Sequence, residues 1–250
     1  MRAGQPADYP GCPQTITAAV EHGVSLVPTR WGVRDAVIAA AGAFLMALLV
    51  GLALASLDLL GTGTALLIGA AAPWIVMAGW PLYATSKYGN GPRLDLGLRI
   101  NRRDVGIGVV AGLSAIVLGL VAAAITAAIV GDFGSAAGDA ATAVAESSPA
   151  WQLILFALLV VVGAPFVEEL LFRGMLWAGL RRIGWGRWLT GITSVLVFSL
   201  FHFEITRLGI LLVIGTVLAV ARARSGALGA PMIAHAINNL PGAIGIATLG

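Results

Sequence analysis

At 250 residues the chain could hold one or two soluble domains, but 58% of it is hydrophobic and only 11% charged, with a mean hydropathy of +0.93. Such a composition cannot supply a polar shell around a soluble core, so the fold class expected is all-α, a polytopic transmembrane helical bundle. The net charge of +3 does not call for a nucleic-acid partner, because the positive residues lie in connectors between apolar stretches, and a single cysteine, Cys12, excludes an internal disulfide and a cysteine-protease mechanism.

Residues 1–36 are polar and rich in Pro and Gly, with Asp8, Glu21 and His22, and read as a cytoplasmic segment rather than a cleaved signal peptide. Three stretches long enough to cross about 30 Å of hydrocarbon follow. Val37 to Leu57, Leu59 to Ala84 and Val105 to Val130 carry no charge, and 37–130 is expected to form a three-helix membrane scaffold. Its Gly106 to Gly112 patch suits close helix packing. The basic connector from Lys87 to Asp104 reads as a solvated cytoplasmic link, and the loop from Gly131 to Ala150 holds Asp132, Asp139 and Glu146 with no Lys or Arg.

The fourth stretch, Trp151 to Leu180, is apolar except for Glu168, Glu169 and Arg173. Trp188 to Phe201, Leu208 to Ala221 and Ala227 to Leu249 bring the expected count to seven, with 151–250 as the part that carries chemistry. Seven crossings and a cytoplasmic N-terminus place thirteen of the fifteen Lys and Arg residues on the cytoplasmic side, as the positive-inside rule requires. Arg207 falls on the far side and Arg173 within the membrane.

A charged side chain at the bilayer centre costs roughly 2.5–3.5 kcal/mol on insertion scales, so three in one segment must be paired, hydrated or functional. Glu169 and Arg173 lie four residues apart on one helical face and can pair. Glu168 points about 100° away around the axis, addresses a different site, and is left to accept a proton from water. Pro165 removes a backbone donor and could kink the helix to admit that water. Segment five ends in Phe198 to His202, and segment seven carries His235 and Asn239 on one face, with Asn238 facing elsewhere. A carboxylate, two imidazoles and an amide from three helices suit water activation and oxyanion stabilisation.

The order EExxxR (Glu168, Glu169, Arg173), FxxxH (Phe198, His202) and HxxxN (His235, Asn239) resembles the CPBP family of intramembrane proteases, related to the type II CAAX prenyl endopeptidase and the bacterial Abi proteins. The likeness runs from about Trp151 to the C-terminus. It implies hydrolysis of a peptide bond in a membrane-associated peptide or protein substrate. By that resemblance Glu168 is the general base, His202 orients and activates the water, and His235 with Asn239 binds the oxyanion. Glu169 and Arg173 hold their helix in register, and Phe198 packs beside the site. Zinc on Glu168, His202 and His235 is one form of the chemistry; a metal-free glutamate site is preferred, since no HExxH helix is present and ligation would occupy the obvious base.

Two other function classes fit the bare residues. One is a non-catalytic immunity or scaffolding protein that binds a partner in the membrane; the other is a proton-coupled transporter, which the lack of an internal repeat disfavours. Straight helices would put His202 deeper toward the far face than His235, so a short or tilted fifth segment with a recessed Phe203 to Arg207 connector is required. Glu204 and Arg207 read as a salt-bridged surface turn. Ser194 and Ser199 have no dedicated base at fixed spacing and are not expected to be nucleophiles.

Overall fold

The structure is a computed structural model and describes residues 16–21 and 23–249; Cys12 and His22 lie outside them. Among the described residues there is no strand. Helix α1 spans Val33–Ser56, α2 Gly63–Tyr88 and α3 Arg102–Val130. A short amphipathic helix, α4, spans Ala136–Ala145, followed by the long helix α5, Ala150–Arg182. Helices α6 (Arg187–Phe201), α7 (Leu208–Ser225) and α8 (Gly229–Ala247) complete the bundle.

Five of the expected membrane segments are long and apolar enough to cross a bilayer: α1, α2, α3, α5, and α7 together with the 3-10 turn Ile205–Arg207 before it. The other two are a 15-residue apolar helix, α6, and the 19-residue α8, which carries His235, Asn238, Asn239 and Pro241. Outward faces are as apolar as the interior. Leu45, Leu48, Leu49 and Leu52 of α1 and Val110, Val117 and Val121 of α3 are exposed, as hydrocarbon solvent demands and water forbids.

Glycine brings α3 against α8. A Cβ at Gly108 would stand 2.9 Å from the Ala230 carbonyl oxygen, and one at Gly112 3.0 Å from that of Ala234. Only a hydrogen fits at such a crossing, and the approach fixes the helix that carries His235.

The connector 87–104 is not the solvated link expected from its charge. Asp95 is buried and accepts from Trp31 Nε1 at 2.9 Å, the Asn90 amide at 2.9 Å and Arg182 Nη2 at 3.2 Å. Arg222 Nη2 donates to the Leu96 carbonyl, and the Leu228 and Gly229 amides donate to the Gly97 and Arg99 carbonyls. Counting charges missed this because the connector's apolar residues, Leu94 and Leu96, are themselves buried. It clamps the entrance of α8 to the end of α5.

Helix α5 departs from α-geometry twice, with π-helical turns at Leu159–Gly163 and Leu170–Leu176. A π-turn widens the helix and shifts its carbonyls out of register, so other groups must satisfy them. Ser194 Oγ donates to the Phe172 carbonyl at 3.1 Å and Arg222 Nε to the Arg173 carbonyl at 2.9 Å. In the first π-turn the Ala164 amide bonds to the Leu159 carbonyl, so the next bond in that register would run from residue 165 to Val160. Residue 165 is Pro and has no N–H to give.

Candidate active site

Glu168 and Glu169 lie between the two π-turns, near the middle of α5. Arg173 is fully buried; its Nη1 donates to Glu169 Oε1 at 2.9 Å, its Nη2 to the Gly215 carbonyl of α7 at 3.0 Å, and its guanidinium sits 4.3 Å from the centroid of the Phe198 ring. The pair therefore ties α5 to α6 and α7 while compensating the burial of both charges. The same Glu169 Oε1 accepts from His235 Nδ1 at 3.0 Å.

His235 is 4% exposed and stands between the two glutamates. With Nδ1 directed at Glu169, its Nε2 faces Glu168 Oε2 at 3.9 Å. The expectation that the neighbouring carboxylates could not address one site is thus corrected: their divergence around the axis is what lets them approach opposite edges of one imidazole.

His202 follows the last residue of α6. Its Nδ1 lies 2.8 Å from the Phe198 carbonyl, which can only accept, so the hydrogen is on Nδ1 and the lone pair of the neutral ring is on Nε2. That Nε2 is 3.7 Å from Glu168 Oε2. The depth mismatch is resolved by the length of α6, since fifteen residues rise only about 22 Å. Past His202 the chain turns within the bundle, with Phe203 at a φ of 55°. Phe198 packs its ring edge-on against both His202 and His235, at centroid distances of 4.7 and 5.8 Å.

His202 Nε2 and His235 Nε2 therefore both approach Glu168 Oε2, at 3.7 and 3.9 Å, and that oxygen is buried with no hydrogen-bonding partner in the protein. A single water can donate to Glu168 and His202 across 3.7 Å with two hydrogen bonds of ordinary length. Tetrahedral zinc at about 2.0–2.1 Å from its ligands would hold them about 3.3–3.4 Å apart. The 3.7 and 3.9 Å separations are wider than that, and among the described residues no three His, Cys, Asp or Glu side chains are grouped to hold a metal ion.

Glu168, His202 and His235 line a cavity of about 1110 Å³. Its walls come from both parts of the chain, including Phe44 of α1, Trp74 and Met77 of α2, and Ile116 of α3. Asn239 also lines it, but its Nδ2 donates to the Val160 carbonyl at 3.0 Å, the oxygen that Pro165 leaves without a partner. Asn238, expected to face elsewhere, lines the cavity too and donates to Asn239 Oδ1 at 3.3 Å.

Glu204 and Arg207 form the expected salt-bridged turn, but their charged groups also border the cavity. They pair with each other, line the cavity, and Glu204 Oε1 accepts from the Ala136 amide of α4, while Phe203 and Ile205, on either side of Glu204, are exposed. A connector with charges inward and apolar residues outward is one that faces lipid. The inversion was legible in the alternation of residues 203–207, which a charge count alone ignores.

Residues 150–241 match the family model described as type II CAAX prenyl endopeptidase Rce1-like. An Escherichia coli protein described as an uncharacterized 24.3 kDa protein is 35% identical over 88 residues. That match covers 34% of this chain and 41% of the relative, so the chain spans less than half the length of the curated protein it matches. No solved structure matches significantly. Residues 150–241, which contain every member of the EExxxR, FxxxH and HxxxN motifs, are thus the part of the chain that is similar to the Rce1-like family.

Proposed function

We propose that the chain is an intramembrane endopeptidase in which Glu168 activates a water for attack on a substrate amide. The observation that supports this best is the approach of both imidazole Nε2 atoms to within 3.9 Å of Glu168 Oε2 beside a large cavity. Water held by Glu168 and His202 gives up one proton to Glu168 as its oxygen attacks the carbonyl carbon. The same carboxyl then delivers that proton to the leaving amine, and the peptide bond breaks. His235 donates to the oxyanion when its Nε2 carries a proton, a form whose charge Glu169 balances across the ring. Asn239 has one amide hydrogen beyond the one given to Val160 and can direct it to the same oxygen.

Glu169, Arg173 and Phe198 position these groups without touching substrate. The reading is metal-free, on the two spacings from Glu168 to the imidazoles. The family supports a membrane-associated polypeptide as substrate. Orientation with the N-terminal segment in the cytoplasm is part of the proposal, on the charge of the connectors.

Purified protein in lipid vesicles, incubated with a peptide pool, tests the assignment. Glu168→Gln is expected to lower the cleavage rate by at least about a hundredfold, the usual contribution of a general base, while leaving the protein folded and membrane-inserted. Undiminished turnover by a folded Glu168→Gln protein removes Glu168 from the mechanism. A chelator is expected to leave the rate unchanged; abolition restored by zinc would transfer Glu168, His202 and His235 to ligand roles.

A further inference from the structure

The bundle has two chemically different ends, and the cavity belongs to one of them. The connectors at 30–34, 87–103, 181–187 and 222–224 gather at one end and hold the Lys and Arg residues of the described chain except Arg173 and Arg207. The other end carries Asp58, Asp132, Asp139, Glu146 and Glu204, with Arg207 as its one cation among the described residues, and that cation is paired with Glu204.

The cavity is lined by Ser135, Ala136 and Thr142 beside α4 and by Glu204 and Arg207, and none of the four basic connectors lines it. Its contributions from α2 and α3 come from the middle of each helix and the half remote from the basic end: Gly69 to Met77 of Gly63–Tyr88, and Ile116 to Leu120 of Arg102–Val130. Glu168 thus sits at the inner end of a space that opens away from the basic connectors.

Short connectors rich in Lys and Arg stay on the cytoplasmic side of a membrane. We infer that the cavity is served from the non-cytoplasmic face, and that its substrate is a membrane-anchored polypeptide whose scissile segment lies on that face, not a cytoplasmic C-terminal tail. The walls favour an apolar segment, since Phe44, Trp74, Met77 and Phe156 line the space and the two charged groups at its rim neutralise each other. The substrate half of this inference rests on the endopeptidase reading; the sidedness does not.

Cysteine labelling of the full chain in intact bacterial cells tests the sidedness, with Cys12→Ser as the background. Thr142→Cys places a thiol at the cavity rim and Ser86→Cys places one near the basic end; both positions are exposed. A membrane-impermeant maleimide is expected to label Thr142→Cys on intact cells and Ser86→Cys only after permeabilisation. The reverse pattern, or equal labelling of both on intact cells, overturns the inference. Right-side-out and inverted vesicles given an impermeant, internally quenched peptide pool then test the substrate class. Turnover confined to right-side-out vesicles is the expected result, and turnover confined to inverted ones overturns it. Expected labelling with no turnover in either upholds the sidedness, overturns the substrate class and rejects the endopeptidase reading.

Discussion

Pro165 and Asn239 are coupled through one carbonyl oxygen. The π-turn before Pro165 offers the Val160 oxygen to a residue with no N–H, and the Asn239 amide supplies the missing donor at 3.0 Å. Asn239→Ala should orphan that oxygen and lower stability by about 1–3 kcal/mol, read as a drop in the thermal midpoint in detergent. Pro165→Ala returns a backbone donor in the right register, so the loss caused by Asn239→Ala should shrink in that background. A double-mutant cycle should report coupling of about 0.5–3 kcal/mol; strict additivity would mean that Asn239 does not serve Val160. Breaking the fully buried Glu169–Arg173 pair by Arg173→Ala should be more severe, about 3–5 kcal/mol, visible as loss of monodisperse protein. At this scale the sequence was informative about identity and less so about direction. The intramembrane charges announced themselves because hydrocarbon penalises them, and the Glu169–Arg173 spacing gave the pair. That His235 would reach both carboxylates depended on how α8 docks, which no local spacing encodes.

Among elements, the crossing of α3 over α8 is the one on which His235 depends most directly. Gly112→Val should force the Ala234 backbone away, because even a Cβ would stand 3.0 Å from its carbonyl oxygen. Reduced thermal stability together with reduced cleavage is the expected outcome. Gly106 has open space where its Cβ would be, so Gly106→Ala should be neutral or stabilising by up to about 1 kcal/mol, the helix-propensity difference. Equal damage from both would show that the close approach is not the determinant. The glycine patch was readable as a packing surface, but not which partner it packed against. The π-turns were less accessible. Pro165 hinted at the first, whereas the second is sustained by Ser194 and Arg222 from distant helices, and such long-range satisfaction leaves no local periodicity to read.

For the molecule as a whole, the family match is confined to 150–241, yet the cavity is not. Its walls include α1, α2 and α3, and α3 lies along both α7 and α8. Residues 151–250 expressed alone should therefore fail to give a protease-resistant, active protein, and co-expression of 1–148 should restore one. Activity from the isolated C-terminal part would demote the first three helices to a dispensable annex. Composition disclosed the membrane architecture and the polarity of its ends. Assembly of the site from both parts was invisible, because the wall residues of α1 to α3 are uncharged and resemble any lipid-facing stretch.

Helix α6 reaches only about 22 Å before the chain turns at Phe203, and Phe203 and Ile205 are exposed on the outer surface. Lipid tails beside that turn must shorten, tilt or fold to keep those two residues covered, since the hydrocarbon layer is about 30 Å thick. A thinned leaflet beside that turn is the expected consequence. If the proposed endopeptidase activity is present, reconstitution in short-chain lipids should relieve that deformation and quicken turnover, and long-chain lipids should slow it.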